Sequence, residues 1–260
     1  MTAPEVEKRR SRLFVVDDAP EITFIVERWG HRLGHDVASR PSVAAAWDYL
    51  SHSQPDLLIV DINLLGESGL ELCRRVRITP RLGGLPMAVF CHWDRPEDIA
   101  AGLEAGCKYV LSKSLLSRPD EWQRRIEELL LPGDRQPYVG SLSWTGKEQT
   151  EPVVTWVDSL NQVLRFQAPR QLGLEVVLVV VRQAMSSIAP GIRDRCLLPD
   201  GLGLDGEVIM RAGTPDLVMA FAVSLAHRFW SILGSIEGAA LERALALAVP
   251  PLAEFRVAQP

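Results

Sequence analysis

Asp56-Leu-Leu-Ile-Val-Asp61 decides the fold, because Leu57 to Val60 is an apolar run too short for a helix and carries an acid at its carboxyl end. Two other runs have the same form. Leu13 to Val16 ends on Asp17 and Asp18, and Tyr109 to Ser112 ends on Lys113. Such runs, bounded by turn residues and separated by helical patterns, read as buried parallel strands of an open α/β sheet whose carboxyl ends share one edge. Asp17, Asp18, Asp61 and Lys113 then meet in a single crevice. Unpaired, three carboxylates would disfavour folding. A divalent cation complements them, and an all-oxygen ligand set suits Mg²⁺. This is chemistry for holding a phosphoryl group.

The segments between the runs predict helices. Pro20 to Leu33 places Ile22, Ile25, Val26, Trp29 and Leu33 on one stripe that should pack on the sheet. Ser42 can cap a second helix through Leu50, and Ser68 or Gly69 begins a third. Pro96 begins a fourth and Pro119 a fifth, running to about Leu131. With a strand over Leu85 to Phe90, five strands alternate with five helices. His31 and His35 flank the end of the first helix and are expected to be an exposed pair rather than a metal site, since no third ligand is near in sequence.

Residues from about 10 to 131 resemble a response-regulator receiver domain of the chemotaxis-regulator, flavodoxin-like kind. The resemblance rests on Leu13-Phe-Val-Val-Asp-Asp18, on Asp56 to Asp61 followed by Gly69-Leu-Glu-Leu-Cys73, and on Gly106-Cys-Lys-Tyr-Val-Leu-Ser-Lys113, in that order and at receiver spacing. It implies that Asp61 is the phosphoacceptor, that Asp17 and Asp18 bind Mg²⁺ together with Asp61 and the backbone carbonyl of Asn63, and that Lys113 reaches a phosphoryl oxygen. It also implies a cognate sensor histidine kinase or phosphotransfer protein as partner. Phosphoryl transfer relies on positioning and charge stabilisation, and Asp61 would act as a nucleophile. Helix capping alone explains neither the acidic pair nor the distant lysine.

The departures from the receiver pattern bear on switching. Cys91 stands where receivers usually carry a Thr or Ser that hydrogen-bonds the phosphoryl group, and a thiol is a weak donor. Val110 occupies the position of the usual switching aromatic, with Tyr109 beside it, and Ser114 replaces the usual proline. The expected output coupling is therefore atypical.

With 260 residues, 47% hydrophobic and 23% charged, the chain is long enough for two cores. The expected division is a receiver over 1–131, a linker over 132–152 rich in small and polar residues, and an output domain over 153–260. The charged first ten residues lack the apolar core of a signal peptide, and the longest aliphatic run, Val176 to Val181, is far too short to span a bilayer. A cytoplasmic protein without membrane insertion is expected. Cys73, Cys91, Cys107 and Cys196 show no CxxC spacing and read as small buried residues, with Cys91 the one that could face the site.

In the second half, Val153, Trp156, Val157, Leu160, Val163 and Leu164 recur at helical spacing, with Pro169 and Gly173 closing that helix. Leu174 to Ile188 is ambiguous between strand and helix, and Asp205 to Arg211 reads as a strand. Thr214-Pro-Asp216 is a helix start. That helix runs to about Gly234 and another covers Ser235 to Ala248, while Glu254 to Val257 reads as a terminal strand. A smaller α/β or α+β domain is expected.

Its chemistry is less legible. From residue 151 onwards there are 9 Arg, no Lys and 11 acidic residues, without a basic cluster, which argues against DNA binding. Gly201-Leu-Gly-Leu-Asp-Gly206 matches GxGxxG but follows no strand, so a tight loop is the better reading. His227 sits on an apolar helix and reads as structural. No cyclase or phosphodiesterase signature is present, so an enzymatic output is not expected. Phe221, Leu225, Phe229, Trp230 and Leu233 form core or a homodimer seam. The expectation is a response regulator of a two-component phosphorelay acting through a downstream protein partner. The alternatives are a transcriptional regulator with an atypical DNA-binding domain and a pseudo-receiver scaffold that works without phosphorylation.

Overall fold

A computed structural model of the chain describes residues 10–91, 95–130, 151–187, 193, 195–211 and 216–249. The chain divides into two units, Met1–Leu130 and Leu131–Pro260. The expected linker over 132–152 lies outside the described residues up to Glu151, where a helix already begins.

The first unit alternates strand and helix. In chain order it has β1 (Arg12–Val16), α1 (Pro20–Arg32), β2 (Asp36–Arg40), α2 (Val43–His52) and β3 (Leu57–Asp61). A two-stranded hairpin, β4 (Asn63–Leu64) with β5 (Glu67–Ser68), leads into α3 (Gly69–Ile78). Then come β6 (Met87–Cys91), α4 (Pro96–Glu104), β7 (Tyr109–Ser112), a 3₁₀ turn over Lys113–Ser117 and α5 (Pro119–Leu130). The main sheet has the order β2-β1-β3-β6-β7, with every pairing parallel. This is the flavodoxin-like receiver architecture.

Local signals set the helix starts. Ser42 accepts a hydrogen bond from the Ala45 N–H at 3.2 Å, and Ser68 accepts one from Leu70 N–H at 3.3 Å, so each hydroxyl satisfies an orphan donor of the first turn. α1, α4 and α5 each begin on a proline, which loses nothing at a position whose N–H has no helical partner.

The sheet buries both faces, and its residues divide by the two-residue period of a strand. Leu13, Val15, Leu57, Ile59, Ala88, Phe90, Tyr109 and Leu111 form one core with Val26 of α1 and Trp122, Ile126 and Leu129 of α5. Ile22, Trp29 and Leu33 of the predicted stripe pack against it. On the other face, α4 approaches so closely that a Cβ on Gly102 would lie 2.1 Å from a Val89 methyl. The histidines correct the expectation of an exposed pair: His31 is exposed, but His35 is buried and its Nδ1 faces the Ser11 N–H at 3.4 Å.

Among the described residues, the regular elements of the second unit are helices, with an isolated bridge between Leu197 and Leu204 across a loop. The unit contains α6 (Glu151–Gln162), a π-helical segment over Val163–Gln167, α7 (Ala168–Leu172) and α8 (Leu174–Ala184). Helices over Gly206–Arg211 and Asp216–Ala248 follow. Against the α/β or α+β expectation, this settles the segment from Leu174, which the sequence leaves open between strand and helix, and it corrects the strand read over Asp205 to Arg211. The Val176–Val181 run is helical, and α8 buries Val176, Val177, Val179, Val180 and Val181 while Glu175 and Arg182 stay exposed. Asp205 to Arg211 is also helical, because the Asp205 carboxylate accepts the Val208 N–H at 3.1 Å as an N-cap. Pro169 does not close the first helix; the chain passes through the wider π turn, and only Gly173, at φ 82°, ends it. The break at Gly234 is real, with φ 79° and ψ 175° inside the last long helix.

Phe221, Leu225, Phe229 and Trp230 are buried, so they serve as core rather than as a dimer seam. The Thr214-Pro215 start and the Glu254–Val257 strand lie outside the described residues. Among the described residues, no helix is long and apolar enough to cross a membrane.

Candidate functional site

The strand order changes direction at β1, which has β2 on one side and β3 on the other. Chains leaving β1 and β3 turn to opposite faces there and open a crevice at their carboxyl ends. Asp17 follows β1 directly and is buried. Its Oδ1 accepts the Ala19 N–H at 3.0 Å, which shapes the turn into α1. Its Oδ2 lies 2.8 Å from Lys113 Nζ. Asp61 closes β3, accepts the Asn63 N–H on Oδ1 at 3.4 Å and takes a hydrogen bond from Lys113 Nζ on Oδ2 at 2.7 Å. Lys113 follows β7 and also sits 5.4 Å from the centre of the Phe90 ring, whose π face favours a cation. The half-buried Asp18 completes the group: one oxygen from each of Asp17, Asp18 and Asp61 lies within 4.8 Å of the others. Asn63 is exposed in the hairpin two residues beyond Asp61.

One ammonium faces three carboxylates, and the protonation energetics reflect the shortage. Burial holds the Asp61 carboxyl above its ordinary value, and Asp17 pushes the same way; the bond and charge of Lys113 offset only part of this. For Lys113, burial pulls the ammonium down, but its contacts with Asp17 and Asp61 outweigh this and hold it above the ordinary lysine value. Burial thus sets the direction for Asp61, and the two neighbouring carboxylates set that of Lys113.

Asp17 Oδ2 bears on whether a cation fits this cluster. It is buried 2.8 Å from Lys113 Nζ, and a carboxylate oxygen with that one close cation can still take a second. Three convergent carboxylate oxygens fit a hard divalent ion such as Mg²⁺.

Two residues that position the site escaped the sequence reading of side-chain chemistry. A Cβ on Gly69 would lie 1.9 Å from the Asp61 carbonyl oxygen, so only glycine lets α3 begin directly behind the Asp61 backbone. In the sequence it stands in Gly69-Leu-Glu-Leu-Cys73, where nothing local shows the close approach. Phe90 gave no signal beyond being apolar. Cys91 is buried at the end of β6, opposite Ser112 in register, and interacts electrostatically with Cys107. Val110 is buried, and its carbonyl accepts from Arg125 of α5 at 3.4 Å. Tyr109 lies on the other face of β7, inside the core shared by α1 and α5, and does not take the place of the missing aromatic. Ser114 shares a 2.8 Å hydrogen bond with Ser112.

Residues 13–126 match the family model of the response regulator receiver domain. This part of the chain is a receiver domain of the two-component response regulators. Transcriptional regulatory protein AfsQ1 of Streptomyces coelicolor is 31% identical over 124 residues, which are 48% of this chain and 53% of that protein. Response regulator Rre1 of Synechocystis is 30% identical over 134 residues, 50% of this chain and 56% of that protein. The chain thus spans about half the length of these curated relatives. Among solved structures, chemotaxis response regulator CheY4 of Vibrio cholerae is 20% identical, with 46% of this chain and 99% of that one covered at a TM-score of 0.43. Receiver domains are signalling modules, and the crevice of this one holds the four residues whose spacing first suggested it.

The motifs of the second unit resolve into structure. Asn161 of α6 is buried and clamps Leu204 with two 2.9 Å hydrogen bonds, donating to its carbonyl and accepting from its N–H. A Cβ on Gly203 would lie 2.2 Å from Asn161 Oδ1, so the glycine of the GxGxxG stretch serves this clamp. The stretch is a tight loop as expected, although it opens a short helix rather than a strand. His227 is partly buried, and its carbonyl accepts from the Ser231 hydroxyl at 2.9 Å.

Proposed function

We propose that Asp61 accepts a phosphoryl group from a sensor histidine kinase or phosphotransfer protein, and that the modified receiver controls the second unit. The observation that carries this reading is Lys113 Nζ at 2.7 and 2.8 Å from Asp61 and Asp17 across the sheet edge. In the phosphorylated protein, the ammonium that now bridges two carboxylates would turn to an oxygen of the incoming group and stabilise its charge. Asp61 Oδ supplies the lone pair that forms the new P–O bond, and the donor's leaving group departs on the opposite side.

Asp17, Asp18, Asp61 and the Asn63 carbonyl would hold Mg²⁺. The ion's contribution is charge neutralisation and orientation of the phosphoryl oxygens. The test is intact-mass spectrometry after exposure to an acyl phosphate. One added phosphoryl group is expected with Mg²⁺, none with Asp61→Asn, and little with Lys113→Ala. An unmodified wild type would favour a pseudo-receiver that signals by protein contacts.

For the second unit, we favour an output that binds another protein, because its charged residues are sparse in cations and form no basic cluster. A DNA-binding output is the competing reading, since one relative is named a transcriptional regulatory protein. Titration of random duplex with the full-length chain at low and high salt separates them. Salt-sensitive binding at micromolar protein supports the DNA reading, and none supports the protein partner.

A further inference from the structure

Cys73 of α3 and Cys107, in the loop between α4 and β7, are separated by 34 residues in sequence, yet the Cys107 thiol donates to the Cys73 sulfur at 3.5 Å. Both are buried free thiols. The surrounding backbone is already fixed for this approach. Gly106 adopts φ +97° to turn the chain out of α4, and the Cys107 N–H is held by the Gly102 carbonyl at 3.1 Å. One helical turn beyond Cys73, Arg77 ties the same loop to α3, donating to the Gly106 carbonyl at 2.6 Å and also to the carbonyl of Gly83. A disulfide requires the sulfurs to close to about 2.05 Å, a movement of about 1.5 Å that side-chain rotation and a small backbone adjustment can supply.

We propose that Cys73 and Cys107 are a redox pair that closes to an intramolecular disulfide under a small hydroperoxide such as hydrogen peroxide. Either sulfur can take the first step with the same balance of atoms and electrons. With Cys73 first, its thiolate attacks a peroxide oxygen. The O–O bond breaks, the departing hydroxide takes up the proton that Cys73 released and leaves as water, and Cys73 becomes a sulfenic acid. Cys107 sulfur then attacks Cys73 sulfur. The S–O bond breaks, and the hydroxyl leaves with the Cys107 proton as a second water. Two thiols lose two electrons and one peroxide becomes two waters.

The hydrogen bond to Cys73, and then burial, push the Cys107 thiol well above its ordinary value, with the Arg77 charge opposing them. Cys107 therefore rests as a thiol, and burial keeps both sulfurs from bulky or charged reagents while a small neutral oxidant can reach them. The bond would tie α3, which starts behind Asp61, to the segment that feeds β7, which ends at Lys113. It offers the receiver an input separate from phosphorylation.

The experiment treats reduced full-length protein with hydrogen peroxide, removes the oxidant, denatures it and alkylates the remaining thiols before peptide mapping. Wild type should lose two of its four alkylatable cysteines and yield a cross-linked peptide joining residues 73 and 107, which dithiothreitol dissolves. Cys91→Ser should give the same cross-link, Cys73→Ala should keep its three remaining thiols, and Cys107→Ala should form no cross-link. Four free thiols in oxidised wild type, a cross-link through Cys91, or sulfinic acid without a bond would overturn the proposal. The wild-type peptide map decides even where an alanine variant folds poorly.

Discussion

Gly69 meets the Asp61 backbone so closely that a single methyl group would sit 1.9 Å from the Asp61 carbonyl oxygen. The contact joins the start of α3 to the residue on which the proposed chemistry depends. The Gly69 N–H also donates to the Ile62 carbonyl at 2.9 Å, so helix and strand end are fixed as one piece.

Gly69→Ala should therefore destabilise the first unit by about 1–3 kcal/mol, because backbone cannot yield as a side-chain tip can. Thermal unfolding of the full chain would show the loss as a lower midpoint for that unit. An unchanged midpoint would mean that α3 can shift without cost.

Asp61→Asn should stabilise the protein at neutral pH. The folded-state carboxyl titrates above its unfolded value of 3.8, so between these values the folded state binds more protons and stability falls as pH rises through the window. Ionised Asp61 is then a net cost at pH 7, and the amide removes it. The midpoint should rise by roughly one to a few degrees at neutral pH, with the gain vanishing below pH 3.8. A variant less stable than wild type at pH 7 would contradict the burial argument.

Lys113→Ala leaves Asp17 and Asp61 without their shared cation, at a cost of about 1–3 kcal/mol in the absence of metal. Millimolar Mg²⁺ should then raise the melting temperature of the variant by more than that of wild type, since the ion replaces a lost charge. Equal shifts in the two proteins would show that Mg²⁺ does not enter this crevice.

In the second unit, Asn161→Ala removes both hydrogen bonds to Leu204 and leaves a buried N–H and C=O without these partners. The expected cost is about 2–4 kcal/mol, from two unsatisfied backbone groups. Hydrogen exchange should speed up over residues 196–205 while the sheet of the first unit keeps its protection. Uniform exchange across the chain would argue against a local clamp.

Local chemistry made much of the first unit legible. Ser42, Ser68, Pro96 and Pro119 start helices through groups one to three residues away, and the apolar runs ending in Asp17, Asp61 and Lys113 are strands because each is short and buried on both sides. Even in the second unit, Gly234 broke the last long helix where its missing side chain permits positive φ. What sequence alone could not decide depends on neighbours distant in the chain. The Val176–Val181 run is a helix that packs on α7 and on the Asp216–Ala248 helix, and consecutive aliphatic residues read alike in a buried strand and a buried helix. Asp205 is a helix cap rather than a strand residue because Asn161, 43 or 44 positions earlier, fixes the loop before it. His35 is buried, and Cys73 meets Cys107, only because parallel strands bring remote segments together. Turns and caps are written over a few residues, whereas burial and contact between segments appear only once the chain has closed around itself.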